Sequence, residues 1–240
     1  MAAPRESVLI TGCSAGGIGG ALAEVFHEKG YHVFATLRMQ SSLPGPRSWT
    51  FQSRRVFDLN FWAPLATLQA FAPLLIEAKR CVVNNTSANA HATFGLMSIC
   101  SGSKATLAVA SETWRLELQP LGVRTITLIT SGVKTKSFAE YQAFELPENS
   151  SYLQIQDFIR DIGNGRLQAN AMDSREYAAK VVRAVEKGTV GQIWLGKDAF
   201  LARLGWWLSP RSVFDMILDS IVPIRKEMEH AMKKRRESKG

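Results

Sequence analysis

A doubly wound α/β fold, one domain built on a parallel sheet with helices on both faces, is what this 240-residue chain predicts. Two observations carry that prediction. Short apolar, β-branched runs at residues 8–10, 31–36, 81–86, 123–130 and 192–196 alternate with longer stretches of helical period, and strands that alternate with helices close into parallel sheets. The first run feeds a glycine-rich turn, Thr11-Gly12-Cys13-Ser14-Ala15-Gly16-Gly17-Ile18-Gly19, and then an apolar helix face over residues 21–26.

Composition bounds the rest. With 46% hydrophobic residues, a chain of this length buries one sizeable core. Lysine and arginine exceed aspartate and glutamate, 29 against 21, but residues 225–240 alone hold seven basic and three acidic side chains. The excess therefore sits largely in a basic tail, and nucleic-acid binding by the fold is not expected. Cys13, Cys81 and Cys100 show neither paired nor metal-like spacing, and nothing resembling a signal sequence precedes the first strand. A reducing, cytoplasmic setting with no metal is the expectation.

In chain order, the glycine turn comes first. Glycine lacks a Cβ, so Gly12, Gly17 and Gly19 allow a tight turn and close approach to a pyrophosphate, which the free N–H groups and dipole of the next helix attract. The rival reading is a plain strand-to-helix connection. Gly30 closes that helix, and the second strand ends at Leu37-Arg38. A carboxylate at this strand end accepts the ribose hydroxyl of NAD, whereas an arginine pairs with the 2′-phosphate of NADP. Arg38 therefore points to NADP; the alternative is a solvated arginine. Residues 39–53, with Pro44, Gly45, Pro46 and four serines, read as a linker. Helical period resumes with Phe61, Leu65, Leu68, Phe71 and Leu75, and Asp58 and Asn60 stand before it as candidate caps.

The glycine spacing resembles the fingerprint of the short-chain dehydrogenase/reductase family, nearest the branch of acyl-dihydroxyacetone-phosphate reductases. The resemblance implies a Rossmann-like fold over most of residues 6–225 and cofactor contacts from Gly12, Ser14, Gly17, Ile18 and Gly19. Ser87, at the end of the strand beginning at Cys81, matches the serine that hydrogen-bonds the substrate carbonyl. Lys104, in Cys100-Ser101-Gly102-Ser103-Lys104, matches the lysine that grips the nicotinamide ribose. Asn60 matches an asparagine that bends its helix and supports that lysine, a role it shares on local sequence with a plain N-cap. Val133 and Thr135, in Ser131-Gly132-Val133-Lys134-Thr135, match the segment facing the carboxamide. The polar stretch over residues 136–170 matches the substrate loop.

Two departures stand out against this pattern. The family places tyrosine four residues before the lysine, where the ammonium lowers the phenol pKa; this chain has Cys100. Its thiol ends one bond beyond Cβ and does not reach where a phenol would, so Cys100 reads either as a displaced proton donor or, preferably, as a small buried apolar side chain. The second departure is length. A strand-helix-strand unit needs roughly 30 residues, and the interval at 39–53 is too short to supply the one the family has there, through deletion or mis-splicing. Fewer strands than the family are expected. The strand at 81–86 is expected to slide against residues 7–11, because orphaned buried backbone groups cost about 1 to 3 kcal/mol each.

Residues 200–224 are apolar but broken by Arg203, Pro210, Arg211, Asp215 and Asp219. That excludes a bilayer span there and predicts a helix closing the substrate pocket, with peripheral contact with a membrane or lipid surface as the alternative. The boundaries read as a catalytic domain over 1–224 and a basic tail over 225–240. The implied activity is NADP-dependent hydride transfer to a carbonyl or from an alcohol, on a lipid or polyketide-like small molecule, with assembly into a homo-oligomer left open. The rival is a non-catalytic scaffold that keeps the fold.

Overall fold

The structure is a computed structural model that describes residues 6–37, 49–135, 146–165 and 170–237. Strand β1 (Ser7–Thr11) leads through the glycine turn into α1 (Ile18–Glu28) and then β2 (His32–Thr36). Helix α2 (Trp49–Phe57) continues through a π-helical turn at Asp58–Trp62 into α3 (Ala63–Glu77). Next come β3 (Cys81–Asn85), the long helix α4 (Ser98–Leu118) and β4 (Arg124–Thr130). The chain closes with α5 (Gln156–Gly163), α6 (Ser174–Glu186), β5 (Gly191–Leu195), α7 (Ala199–Leu208), α8 (Arg211–Ile221) and α9 (Ile224–Glu237).

Local chemistry accounts for the boundaries. Gly30, at φ +87°, turns the chain from α1 into β2, a left-handed conformation that costs glycine little. Asp173 caps α6 by accepting from the N–H groups of Arg175 and Glu176, satisfying donors that have no carbonyl within the helix. The linker expected over 39–53 is corrected for its described part: residues 49–53 are helical. The breakers Pro44-Gly45-Pro46 lie upstream, and nothing after them interrupts the helical period. The stretch expected as a basic tail is likewise helical, as α9.

All strand pairs are parallel, but the sheet is in two pieces: β1 with β2, and β3-β4-β5. The expectation that β3 slides against β1 is therefore wrong, and α6 shows why. One face of α6 packs on β4, with Tyr177 and Val181 against Ile126 and Leu128. The other meets α1 and β1, with Ala178 and Val182 against Ile10, Ala21, Val25 and Phe26. Lys29 pairs with Glu186 at 2.7 Å and Arg175 with Glu28 at the rim of that seam. Sliding β1 sideways would break this packing. The penalty anticipated for leaving the strands apart applies to groups buried from water, whereas the separation is an open cavity of about 2450 Å³ lined by β1, β3 and α3. A Glu6–Arg80 ion pair of 2.6 Å links the segments just before β1 and β3.

Candidate active site

The glycine turn lies at the C-terminal end of β1, with Gly12, Ser14, Gly17, Ile18 and Gly19 all on the cavity wall. Gly12 adopts φ +75°, and a Cβ on Gly19 would collide with the Gly12 carbonyl. The turn is pinned by Gly17 N–H donating to the Ser14 carbonyl at 3.0 Å and by Cys13 N–H donating to the Thr36 carbonyl of β2 at 2.9 Å. The first N–H groups of α1 have no carbonyl partner within the helix and carry its positive dipole end. This bare backbone fits the pyrophosphate of a dinucleotide. Arg38 lies outside the described residues.

Opposite the turn, β3 and α4 bring three of the expected residues to the same cavity. Ser87 lines it while capping the short 3-10 turn Ala88–Ala90, its Oγ accepting from Asn89 N–H at 3.2 Å. A serine that caps a turn thus also stands on the cavity wall. Lys104 Nζ donates to the backbone carbonyl of Asn85 at 2.9 Å. Burial pushes the Lys104 pKa down from its usual value, and the nearby Cys100 opposes that shift. Cys100 lines the cavity four residues earlier on α4 and is exposed, which corrects the preferred expectation of a buried apolar side chain. It sits on the face of α4 that the open cavity leaves uncovered.

Asn60 falls inside the continuous α2–α3 helix, in its π-helical turn, so it is no N-cap. Its Nδ2 donates to Ser103 Oγ at 2.9 Å, and Ser103 Oγ donates to the Cys100 carbonyl at 2.8 Å. Asn60 thus braces the turn of α4 between Cys100 and Lys104, while the recorded protein contact of the lysine itself is Asn85. Sequence reasoning passed over Asn85 because a main-chain carbonyl leaves no residue-type signal. The exposed Asn85 side chain begins a hydrogen-bonded chain that runs inward: Thr130 Oγ1 donates to Asn85 Oδ1 at 2.6 Å and also hydrogen-bonds the buried Tyr177 hydroxyl. Burial first, partly offset by Thr130, leaves the Tyr177 pKa pushed up to about 12.

Val133 is buried and bridges to Met172, and Lys134 N–H donates to the Met172 carbonyl at 2.8 Å; Thr135 reaches the cavity wall. Leu201, Leu204 and Leu208 of α7 with Ile217 and Ile221 of α8 complete that wall with apolar surface, as the expectation of a pocket-closing C-terminal helix required. Among the described tyrosines Tyr31 is on the cavity wall, packed on Phe26 at the start of β2, away from the strand ends that carry Ser87. Tyr152 is not on that wall, and Tyr141 lies outside the described residues. Among the described residues no cluster of metal-ligating side chains occurs.

A glycine turn and a serine–lysine pair facing each other at the carboxyl ends of parallel strands define a Rossmann-like α/β protein. The short chain dehydrogenase family model matches residues 50–146. A short-chain dehydrogenase of Penicillium ochrochloron is 32% identical, the alignment covering 89% of this chain and 96% of that protein. The NADPH-dependent 1-acyldihydroxyacetone phosphate reductase of Schizosaccharomyces pombe is 28% identical over 92% of this chain and 95% of its own length. These alignments run over 263 and 284 positions, more than the 240 of this chain, so the relatives carry segments with no counterpart here. The crystal structure of a short-chain dehydrogenase from Streptomyces avermitilis superposes with a TM-score of 0.69 over 99% of this chain and all of that one, at 22% identity. This chain belongs to the short-chain dehydrogenase/reductase family.

Proposed function

We propose that the chain is an NADP-dependent oxidoreductase that moves a hydride between a nicotinamide cofactor and a ketone or alcohol on a lipid or polyketide-like substrate. The observation that carries the reading is that Ser87, Cys100 and Lys104 line the same cavity as the glycine turn. NADP in place of NAD is supported by Arg38, which follows β2 by two residues in the sequence, and by the NADPH dependence in the name of the Schizosaccharomyces pombe relative. An apolar wall from α7 and α8 suits a long aliphatic or polyketide-like substrate.

Bound against the turn of α1, the cofactor supplies the hydride. Ser87 Oγ donates a hydrogen bond to the substrate carbonyl, favouring the charge that develops on its oxygen. Lys104, held by Asn85, offers its remaining N–H donors to the ribose hydroxyls and places a positive charge beside the proton donor. The donor's position is filled by Cys100, whose thiol ends short of where a phenol would stand. A positioned general acid is worth about 10²- to 10⁴-fold in rate, so turnover is expected to be slow. A second reading, a cofactor-binding scaffold without turnover, is favoured by that same substitution at Cys100.

The test is NADPH oxidation with a panel of long-chain ketones, run on the unmutated chain, Cys100→Tyr and Lys104→Ala. The catalytic reading expects weak activity, a gain of up to about 10²- to 10⁴-fold in Cys100→Tyr, and loss of turnover in Lys104→Ala. Turnover that survives Lys104→Ala would refute the roles assigned here. Nucleotide binding by calorimetry with no turnover in either the unmutated chain or Cys100→Tyr would establish the scaffold.

A further inference from the structure

We infer that the α7–α8 hairpin is a docking surface for an anionic lipid bilayer. The two helices spend Trp206, Gly205 and Phe214 on each other: the Trp206 and Phe214 rings meet edge-on at 5.9 Å, and Gly205 lies against the Phe214 ring. What remains points to water. Phe200 is 72%, Trp207 83% and Met216 64% exposed, and none of the three lies on the cavity wall. A monomeric protein rarely leaves so continuous an apolar face uncovered unless something binds it. A tryptophan at the rim of such a face suits the interfacial layer of a bilayer, where an amphipathic ring has one apolar and one wet side.

Charge selects the occupant. The two acidic residues of α8 face arginines, Asp215 with Arg211 at 3.1 Å and Asp219, more loosely, with Arg225 at 4.0 Å. Helix α9 follows after Val222 and Pro223 and exposes Lys226, Lys233 and Lys234 alongside Glu229 and Glu237. Its sequence over residues 224–237 holds six basic and three acidic residues, and an apolar face joined to a helix of net positive charge is complementary to phospholipid headgroups of negative charge. The same hairpin walls the cavity through Leu201, Leu204 and Ile217, so a docked bilayer would lie against the lining helices themselves. The docking does not depend on turnover, and binding to vesicles tests it separately from the catalytic reading.

The full chain is sedimented with vesicles of phosphatidylcholine alone and of phosphatidylcholine mixed with phosphatidylserine. Partitioning to the anionic vesicles is expected to be at least about tenfold stronger, and to weaken with salt. Trp207→Glu and, as a second variant, Phe200→Glu are each expected to lower it about tenfold, with unchanged thermal unfolding as the folding control. Val109→Glu, on an exposed apolar residue of α4, is expected to leave it unchanged. Absence of anionic-vesicle binding overturns the inference, as does equal loss in Val109→Glu. So does a chain that ignores vesicles but whose Trp207→Glu variant falls from oligomer to monomer by light scattering, since a second copy would then cover the face.

Discussion

The two sides of the sheet were built from similar sequences and met different fates. Strand β4 is flanked by β3 and β5 and covered by helices, and Ile126 and Ile129 are fully buried. Strands β1 and β3 have equally apolar, β-branched sequences, yet each pairs on one edge only, and Leu9 and Val83 stay exposed. The difference lies outside the strands. Apolar pattern makes a segment eligible for the interior, but burial needs a neighbour on both edges and a cover on both faces. Among the described residues no strand lies between β1 and β3 in the sheet, and α6 holds the two apart. Helix α3 suffers the same loss: Phe71 and Leu74 face outward or into the open cavity, with no strand beneath them.

The largest expected contrast is in packing. Leu128→Ala in β4 is expected to cost about 2 to 5 kcal/mol, whereas Leu9→Ala in β1 is expected to cost under about 1 kcal/mol, since an exposed side chain leaves no cavity behind. Urea unfolding of both variants measures this, and equal costs would show that β1 is packed as tightly as β4. A smaller effect probes the hydrogen-bonded side of the closed half. Tyr177→Phe removes the hydroxyl that meets Thr130 and is expected to cost about 1 kcal/mol; a gain in stability would show the hydroxyl to be a buried burden. Smallest is the tie across the opening. Glu6→Gln breaks the exposed pair with Arg80 and is expected to change stability by about 0.2 to 1 kcal/mol. A larger loss would mean that this pair, and not the α1–α6 seam, holds the halves together.

Much of this was legible from residues alone. Five strands and the turn at Gly12 follow from short-range rules, periodicity and the absence of a Cβ, whereas Ser87, Cys100 and Lys104 were singled out by the family resemblance. Where those rules ended, the reading failed. Whether β1 meets β3 depends on α6, a helix far along the chain from β3, whose two faces bind the two halves. The exposure of Cys100 follows from the same cavity, so an error about strand pairing became an error about a site residue. The helical character of residues 49–53 was hidden by the prolines just before them. The Asn85 carbonyl under Lys104 is a main-chain contact, set by the path of β3 and not by the type of side chain at that position.

The unpaired edges of β1 and β3 also bear on how the chain behaves in a crowd of its own kind. Each offers a row of free N–H and C=O groups, the template on which strands from other chains add, and neither edge strand carries a lysine or proline to blunt it. Solubility is therefore expected to be the first property to fail as concentration rises, with aggregation seeded in folded molecules before any of them unfolds.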